Sequence, residues 1–184
     1  MTMTSTPGTA REGFSRRTGY AAAGVAFAYA AVSLYWAMGG TAGLETLGDR
    51  LEQLAQERDP TLIGLTWVAV VLKSSCGVLA LGLVQRWGTL LPRRLLLTAS
   101  WAGAAVLVLY GGLQIIMGSL AEFGIVHLAP PVDWAGLRWH LGLWDMWFLV
   151  MGLLLGAAAW QYTRKDAARG SRVLTPRADR GIEQ

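Results

Sequence analysis

The stretch RWHLGLWDMWF, residues Arg138–Phe148, decides how this chain folds. It opens an apolar run that continues to Tyr162 and is long enough to cross a membrane as a helix. The same stretch carries Arg138, His140 and Asp145, and ionisable side chains inside a bilayer are rare and face other protein groups. It therefore predicts a membrane helix that turns polar groups toward neighbouring helices.

The composition of the whole chain favours a membrane protein. Of the 184 residues, 53% are hydrophobic and only 15% are charged, and the mean hydropathy is +0.38. A soluble domain usually has about 25% charged residues. The single cysteine, Cys76, excludes an intramolecular disulfide and a cysteine-rich zinc site.

Four apolar segments reach the length of about 20 residues that a helix needs to cross a bilayer. They run over Tyr20–Met38, Leu62–Val84, Leu95–Leu120 and Leu137–Tyr162. The predicted fold is therefore all-α, an integral membrane four-helix bundle. We expect a tail over residues 1–18, the four-span domain over 19–162 and a basic tail over 163–184.

The distribution of charge predicts the orientation of the bundle. Arginine and lysine concentrate in both tails and in the second connection, QRWGTLLPRR, whereas Asp and Glu concentrate in the first and third connections. The positive-inside rule then places both termini in the cytoplasm, as an even number of spans requires. We expect the cell membrane as the location. The stretch SRRTGY resembles a twin-arginine signal, but cleavage there would leave three spans, so we expect the first span to be retained.

The basic pI of about 9.6 does not indicate nucleic-acid binding, because no recognition motif accompanies the charge. The basic residues lie where anionic headgroups of the lipid bilayer would hold them. The bilayer is therefore the expected partner.

The first external connection, LETLGDRLEQLAQERD, predicts an amphipathic helix. Four leucines recur at spacings of three and four residues and share one face. Thr46 with Asp49 is the expected start, and Asp59 followed by Pro60 is the expected end. Such a helix either rests on the membrane surface or acts as a lid over the bundle.

Helical phase predicts where the intramembrane polar groups point, because residues seven or eleven apart lie within about 20° of each other. Asp145 shares its face with Arg138, Gly152 and Gly156, and the Gly-x-x-x-Gly spacing allows close approach of two helices. Lys73 likewise shares its face with small residues. We therefore expect both charges to point into the bundle and to form an ion pair, with Arg138 reaching toward the interface.

The same test selects polar residues on the other two spans. Tyr35 shares a face with Gly24, Ala28 and Ala31 on the first span, and Tyr110 and Gln114 share one with Ala99, Gly103 and Met117 on the third. His140 lies about 140° from Asp145 on an ideal helix, so the expected role is a hydrogen-bonded interfacial histidine. The second histidine, His127, lies in a connection, so we expect neither haem nor another metal site and no cofactor.

Two sets of candidate site residues follow. The acid–base candidates are Asp145, Lys73, Tyr110, Tyr35 and His140, and the ligand-binding candidates are Gln114, Trp36, Trp144 and Arg138.

Two stretches also carry a resemblance to a known family. YWAMGG at the end of the first span and LRWHLGLWDMWFLVMGLLL in the fourth resemble small four-span membrane proteins of actinobacteria, which form a domain of unknown function. The resemblance covers about Tyr20 to Tyr162, and its most specific element is R-W-H-x-x-x-W-D-x-W-F. Proline often follows this Asp in the family, whereas this chain has Met146, so a kink there does not carry over. The resemblance implies a four-helix membrane fold and supplies no activity.

Three functions are compatible with these patterns. The first is binding or acid–base transformation of a lipophilic small molecule, such as a terpenoid, quinone or lipid, in an apolar, Trp-rich pocket. The second is an accessory or structural subunit of a membrane complex, in which the polar groups fix helix register. The third is a proton or solute transporter, which would require a homo-oligomer. No known catalytic motif is present, so the sequence leaves open whether the protein is an enzyme.

Overall fold

The described residues of the chain, 7–127 and 132–173 in a computed structural model, are helical and contain no strand. Side chains are described over residues 16–127 and 132–164. The helices are α1 (Pro7–Ala37), α2 (Asp49–Gln56), α3 (Pro60–Gly82), α4 (Arg93–Glu122), α5 (Trp134–Trp139) and α6 (Asp145–Val173). Short 3-10 turns lie at Leu44–Leu47 and Arg86–Leu90, and a π-helical turn at His140–Trp144 joins α5 to α6.

Four of these segments are long and apolar enough to cross a membrane, which confirms the four predicted spans. They are Arg16–Ala37, Pro60–Gly82, Arg93–Glu122 and Trp134–Arg164, the last formed by α5, the π turn and α6 together. A multi-pass membrane protein is indicated. We call the end that carries residues 38–59, 123–127 and 132–133 the loop end, and the opposite end, with the 83–92 connection, the termini end.

The helices follow the order α3, α1, α6, α4 around the bundle. The largest contacts join α4 to α6 and α1 to α3, and α1 also packs against α6. The contact between α3 and α4 is much smaller. Gly82 of α3 contacts Leu96 of α4 next to the 83–92 connection. Gly103 of α4 lies near Cys76 of α3, farther toward the loop end.

The bundle is closed at its termini end by an apolar core. The core consists of Ala22, Ala23, Ala80, Leu83, Leu96, Ala104, Leu155, Ala158 and Ala159. Most of these side chains are alanine, so the helix backbones approach one another closely without a hydrophobic driving force from water. Polar groups of the loop half are thereby separated from the termini end.

Both predicted tails are helical where they are described. Helix α1 already begins at Pro7 and α6 continues to Val173, so both helices extend past the predicted limits of the four-span domain. Residues 1–6 and 174–184 of those predicted tails lie outside the described part of the chain.

The first connection is divided where a single helix was expected. Gly48 adopts φ 88°, a conformation that favours glycine, and separates the 3-10 turn from α2. Thr46 does not cap α2, because its hydroxyl donates to the Gly43 carbonyl at 2.6 Å. Asp59, by contrast, caps α3 by accepting from the Leu62 N–H at 2.9 Å, and Pro60 follows at the first helical position.

Candidate functional site

A cavity of about 430 Å³ lies in the loop half of the bundle. We call it the main cavity. Its walls come from α1, α3, α4 and the fourth span, and residues 38–59, which we call the covering segment, close it at the loop end. Six of the predicted site residues line it: Lys73, Asp145, Tyr110, His140, Trp36 and Trp144.

Lys73 is buried in the wall of the main cavity, with 7% of its side chain exposed. Its Nζ donates to Ser33 Oγ of α1 at 2.7 Å. The same Nζ lies 3.4 Å from the ring centroid of Tyr29 and 5.2 Å from that of Phe148. A hydroxyl and two aromatic rings therefore surround the ammonium group.

Asp145 is the first residue of α6 and is 4% exposed. Within the described residues, Lys73 and Asp145 form no ion pair, so the predicted pairing is not realised. The Asp145 carboxylate also has no hydrogen-bond partner among the described side chains and backbone groups, although it lines the main cavity. The cavity thus holds one buried cation and one buried carboxylate that do not neutralise each other directly.

Tyr29, Ser33 and Phe148 belong to this site and were missed by sequence reasoning. Tyr29 is 3% exposed, stacks on Trp147 at a centroid distance of 4.8 Å and meets Phe148 edge to face at 5.0 Å. The available signal was Ser33, the polar residue within the Ala-rich face of the first span that also contains Tyr29. The small residues that share a face with Tyr35 indicate Tyr35 instead.

Tyr35, which the sequence predicts as an acid–base candidate, does not line the main cavity. It lies two residues beyond Ser33, or about 200° around the helix, and is 43% exposed. Its hydroxyl accepts from the Ala42 N–H at 3.2 Å. The small residues that share its face, such as Gly24 and Ala31, are exposed as well.

His140 lies on the same side of the fourth span as Asp145, not on a separate face as predicted. The π turn is the reason, because the Asp145 N–H donates to the His140 carbonyl five residues earlier and brings the two residues into line. Both residues also line a second cavity of about 320 Å³ between α4 and the fourth span. Gln114 lines that second cavity rather than the main one.

Side chains of the spans hold the covering segment over the main cavity. Trp36 Nε1 donates to the Ala42 carbonyl at 2.9 Å, and Trp144 Nε1 donates to the Thr46 carbonyl at 3.2 Å. His140 Nε2 lies 3.2 Å from the Leu47 carbonyl oxygen. Trp36 and Trp144 also pack edge to face at a centroid distance of 5.1 Å. The two tryptophans that were predicted to bind a ligand therefore line the main cavity and also hold the covering segment.

Asp133 fastens α2 to the start of the fourth span. Its carboxylate accepts from the Gly136 N–H at 2.9 Å and from the Asp49 N–H at 3.0 Å. These backbone hydrogen bonds, with that from Gly136 first, lower the pKa of Asp133 below its ordinary value. The attachment is therefore fully present near neutral pH and is lost as the pH falls through this lowered pKa.

Arg138 lines neither cavity, so its assignment to ligand binding is not supported by its position. Its guanidinium pairs with Glu122 of α4, with Nη2 2.7 Å from Oε1. The π turn again separates it from Asp145, because it shifts the phase by which the two residues shared a face on an ideal helix. Arg138 joins the ends of two spans at the loop end.

Within residues 16–127 and 132–164, no three His, Cys, Asp or Glu side chains are grouped so as to hold a metal ion. The chemistry available in the main cavity is that of an amine, a carboxylate, an imidazole, a guanidinium and hydroxyl groups among aromatic rings.

Residues 26–155 match a family described as Protein of unknown function (DUF3995). The match covers well over half of the chain, so this protein belongs to that family. A search of the curated proteins and a search of the solved structures each found no match.

Proposed function

We propose that this protein binds a lipophilic small molecule in the main cavity. One observation carries the proposal: a cavity of about 430 Å³ within a membrane-embedded bundle contains buried Lys73 and Asp145, which do not pair with each other. Binding pockets for small molecules are typically of this size and combine apolar walls with a few placed polar groups. Unmatched polar groups facing such a cavity favour a ligand that matches them.

The closed termini end supports binding over transport. The alanine-rich core below the cavity contains no ionisable group. A conducting path requires polar groups or water along its whole length. The cavity is therefore a pocket with access from one half of the bundle.

Orientation and location form part of the proposal. Arg16, Arg17 and Arg164 flank the spans at the termini end, whereas Glu45, Asp49 and other acidic residues lie at the loop end. The positive-inside rule places the termini end in the cytoplasm of a cell membrane. The main cavity then lies in the outer half of the bilayer, near the outer leaflet.

Acid–base chemistry on the bound molecule is available to Asp145 and Lys73, with Tyr110 and His140 on the same lining. Groups of this type act as general acids and bases when they are within reach of the reacting atom. Binding comes first, and turnover of the bound molecule is the step that follows if the protein is an enzyme.

The test is to purify the protein in a mild detergent, extract it and search for a stoichiometric small molecule by mass spectrometry. Asp145→Asn and Lys73→Met are compared with Glu45→Gln and Arg94→Met, which alter charge at exposed positions outside both cavities. We expect a molecule in the wild type and in both controls, and its loss from the two cavity variants. Folded protein that is empty in all forms would contradict the proposal and favour an accessory subunit with a protein partner.

A further inference from the structure

We infer that the ligand of the main cavity is an amphiphile with a zwitterionic head, one that carries an anionic oxygen and an ammonium group a few bonds apart. This inference rests on the proposed function. It is drawn from the charges, the hydrogen-bond capacity and the opening of the cavity.

The charges of the cavity are opposite and come from opposite walls. Lys73 projects from α3 and Asp145 from the fourth span, and each is more than nine-tenths buried. The other ionisable side chains on the lining are Arg58, in the covering segment, and Tyr29, Tyr110 and His140. The buried part of the lining therefore holds one cation and one carboxylate.

The two groups have unused hydrogen-bond capacity. An ammonium group has three donors, and Lys73 uses one of them on Ser33 Oγ. The Asp145 carboxylate offers up to about four acceptor positions and uses none of them on a described protein group. Buried polar groups are normally hydrogen-bonded, so a ligand is the natural partner for both.

A head group with a single charge satisfies only one side of this arrangement. An anion binds Lys73 but lies in the same cavity as the Asp145 carboxylate, and a cation does the reverse. Burying one unmatched charge costs more than the paired contact returns, because the interior screens charges poorly. A zwitterion matches both walls at once.

The aromatic lining fits the same head. Trp36 and Trp144, the latter next to Asp145 in the chain, both line the cavity. Aromatic rings of this kind attract an ammonium group. The ring face of Tyr29 is already in contact with the Lys73 ammonium group. The ammonium of the ligand therefore belongs on the Asp145 side and its anionic oxygen on the Lys73 side.

The cavity also has a place for an apolar tail. Leu65 of α3 and Tyr110 of α4 line the cavity and are 62% and 50% exposed on the outer surface of the bundle. We therefore place the opening of the cavity between α3 and α4, the pair of adjacent helices with the smallest contact. An acyl or prenyl chain leaves through this opening into the bilayer while the head stays inside.

The experiment uses four probes with the same twelve-carbon chain: N-dodecylglycine, dodecanoate, dodecylammonium and dodecanol. Binding to the full chain in maltoside micelles is measured by titration of tryptophan fluorescence, for the wild type, Lys73→Met, Asp145→Asn and the controls Arg94→Met and Glu45→Gln. We expect the zwitterion to bind the wild type and the controls at least about tenfold more tightly than the other probes, a factor that corresponds to about 1.4 kcal/mol.

The variants give the decisive pattern. Lys73→Met is expected to prefer dodecylammonium and Asp145→Asn to prefer dodecanoate, which a purely structural role of either residue would not produce. Equal affinity for all four probes would overturn the inference and leave lipophilic binding standing, whereas no binding of any probe would overturn both. If Lys73→Met does not fold, Lys73→Gln keeps a hydrogen bond to Ser33 and removes the charge, and the same change of preference is expected.

Discussion

Lys73 is held in a membrane-spanning helix by a hydroxyl group and an aromatic ring rather than by a carboxylate. A lysine at the centre of a membrane helix costs about 2.5–3.5 kcal/mol. A hydrogen bond from a charged group contributes about 1.5–3 kcal/mol, and a desolvated cation–π contact about 2 kcal/mol. Ser33 and Tyr29 together are therefore sufficient to offset the cost, and Asp145 is left available to a ligand.

A double-mutant cycle between Ser33→Ala and Lys73→Met tests this account. We expect a coupling of about 1.5–3 kcal/mol in the free energy of unfolding. Either single substitution already removes the hydrogen bond at 2.7 Å, so the double variant does not lose it a second time. The measurement is equilibrium unfolding in detergent. The control pair Tyr35→Phe and Lys73→Met should be additive within about 0.5 kcal/mol, since Tyr35 lies outside the cavity. Additivity of the Ser33 pair as well would show that the contact contributes nothing.

The residue scale also shows what the sequence could and could not predict. Lys73 and Asp145 were predictable as inward-facing groups, because a charge in an apolar run is stable only against protein. Their failure to pair was not, because it depends on Tyr29 and Ser33 of another helix. In α1 small residues lie on all sides of the helix, so they do not indicate which side faces the bundle. For this reason the pattern favours Tyr35 over Tyr29.

At the scale of elements, the π turn between α5 and α6 sets the geometry of the site. It brings His140 into line with Asp145 and rotates Arg138 away, which reverses two conclusions that hold for an ideal helix. A single inserted residue rotates the residues before it about the helix axis, relative to the residues after it. No residue of HLGLW indicates that insertion. Single π turns inside α-helices are frequent at functional sites, which agrees with its position beside the cavity.

Helix α4 fixes the position of that turn through Gly111. A Cβ added at Gly111 would lie 2.8 Å from the Asp145 carbonyl oxygen and from the Leu149 nitrogen, which are backbone atoms that cannot move alone. Gly152 makes an equally close approach from the other side, to the backbone nitrogen of Val108. The Gly152–Gly156 spacing noted in the sequence therefore serves the α4–α6 contact at Gly152, while Gly156 meets Ala104 at an ordinary distance.

Gly111→Ala is expected to lower the free energy of unfolding by about 1–3 kcal/mol, as overpacking does in a tight interface. It should also weaken ligand binding, because the start of α6 has to shift. The neighbouring Gly112→Ala is the matched control, since a Cβ there meets nothing within 4 Å. Thermal unfolding in detergent compares the two, and equal Tm values would mean that the α4–α6 contact is not as close as described.

At the scale of the whole molecule, the bundle is closely packed at the termini end and loosely packed between α3 and α4. The core at the termini end contains no ionisable group. Trp36, Trp144 and His140 hold the covering segment in place, and α3 and α4 make the smallest contact of any two adjacent helices around the bundle. The number of the four spans and their approximate bounds were predictable from length and hydropathy. The walls of the cavity were not, because they depend on which pairs of helices pack and which do not.

The proposed side opening predicts that blocking it prevents ligand binding without unfolding the protein. Ala69 of α3 lines the main cavity, so Ala69→Phe places a ring between α3 and α4 and should abolish most of the ligand retained through purification. Val71→Phe adds the same ring type two residues away, where Val71 is 61% exposed to the bilayer side, and should retain the ligand. Extraction and mass spectrometry measure the ratio of ligand to protein in both variants. If Ala69→Phe keeps its ligand as well as Val71→Phe does, the molecule is not bound in the main cavity, because a ring at residue 69 and a ligand head beside Lys73 compete for the same volume.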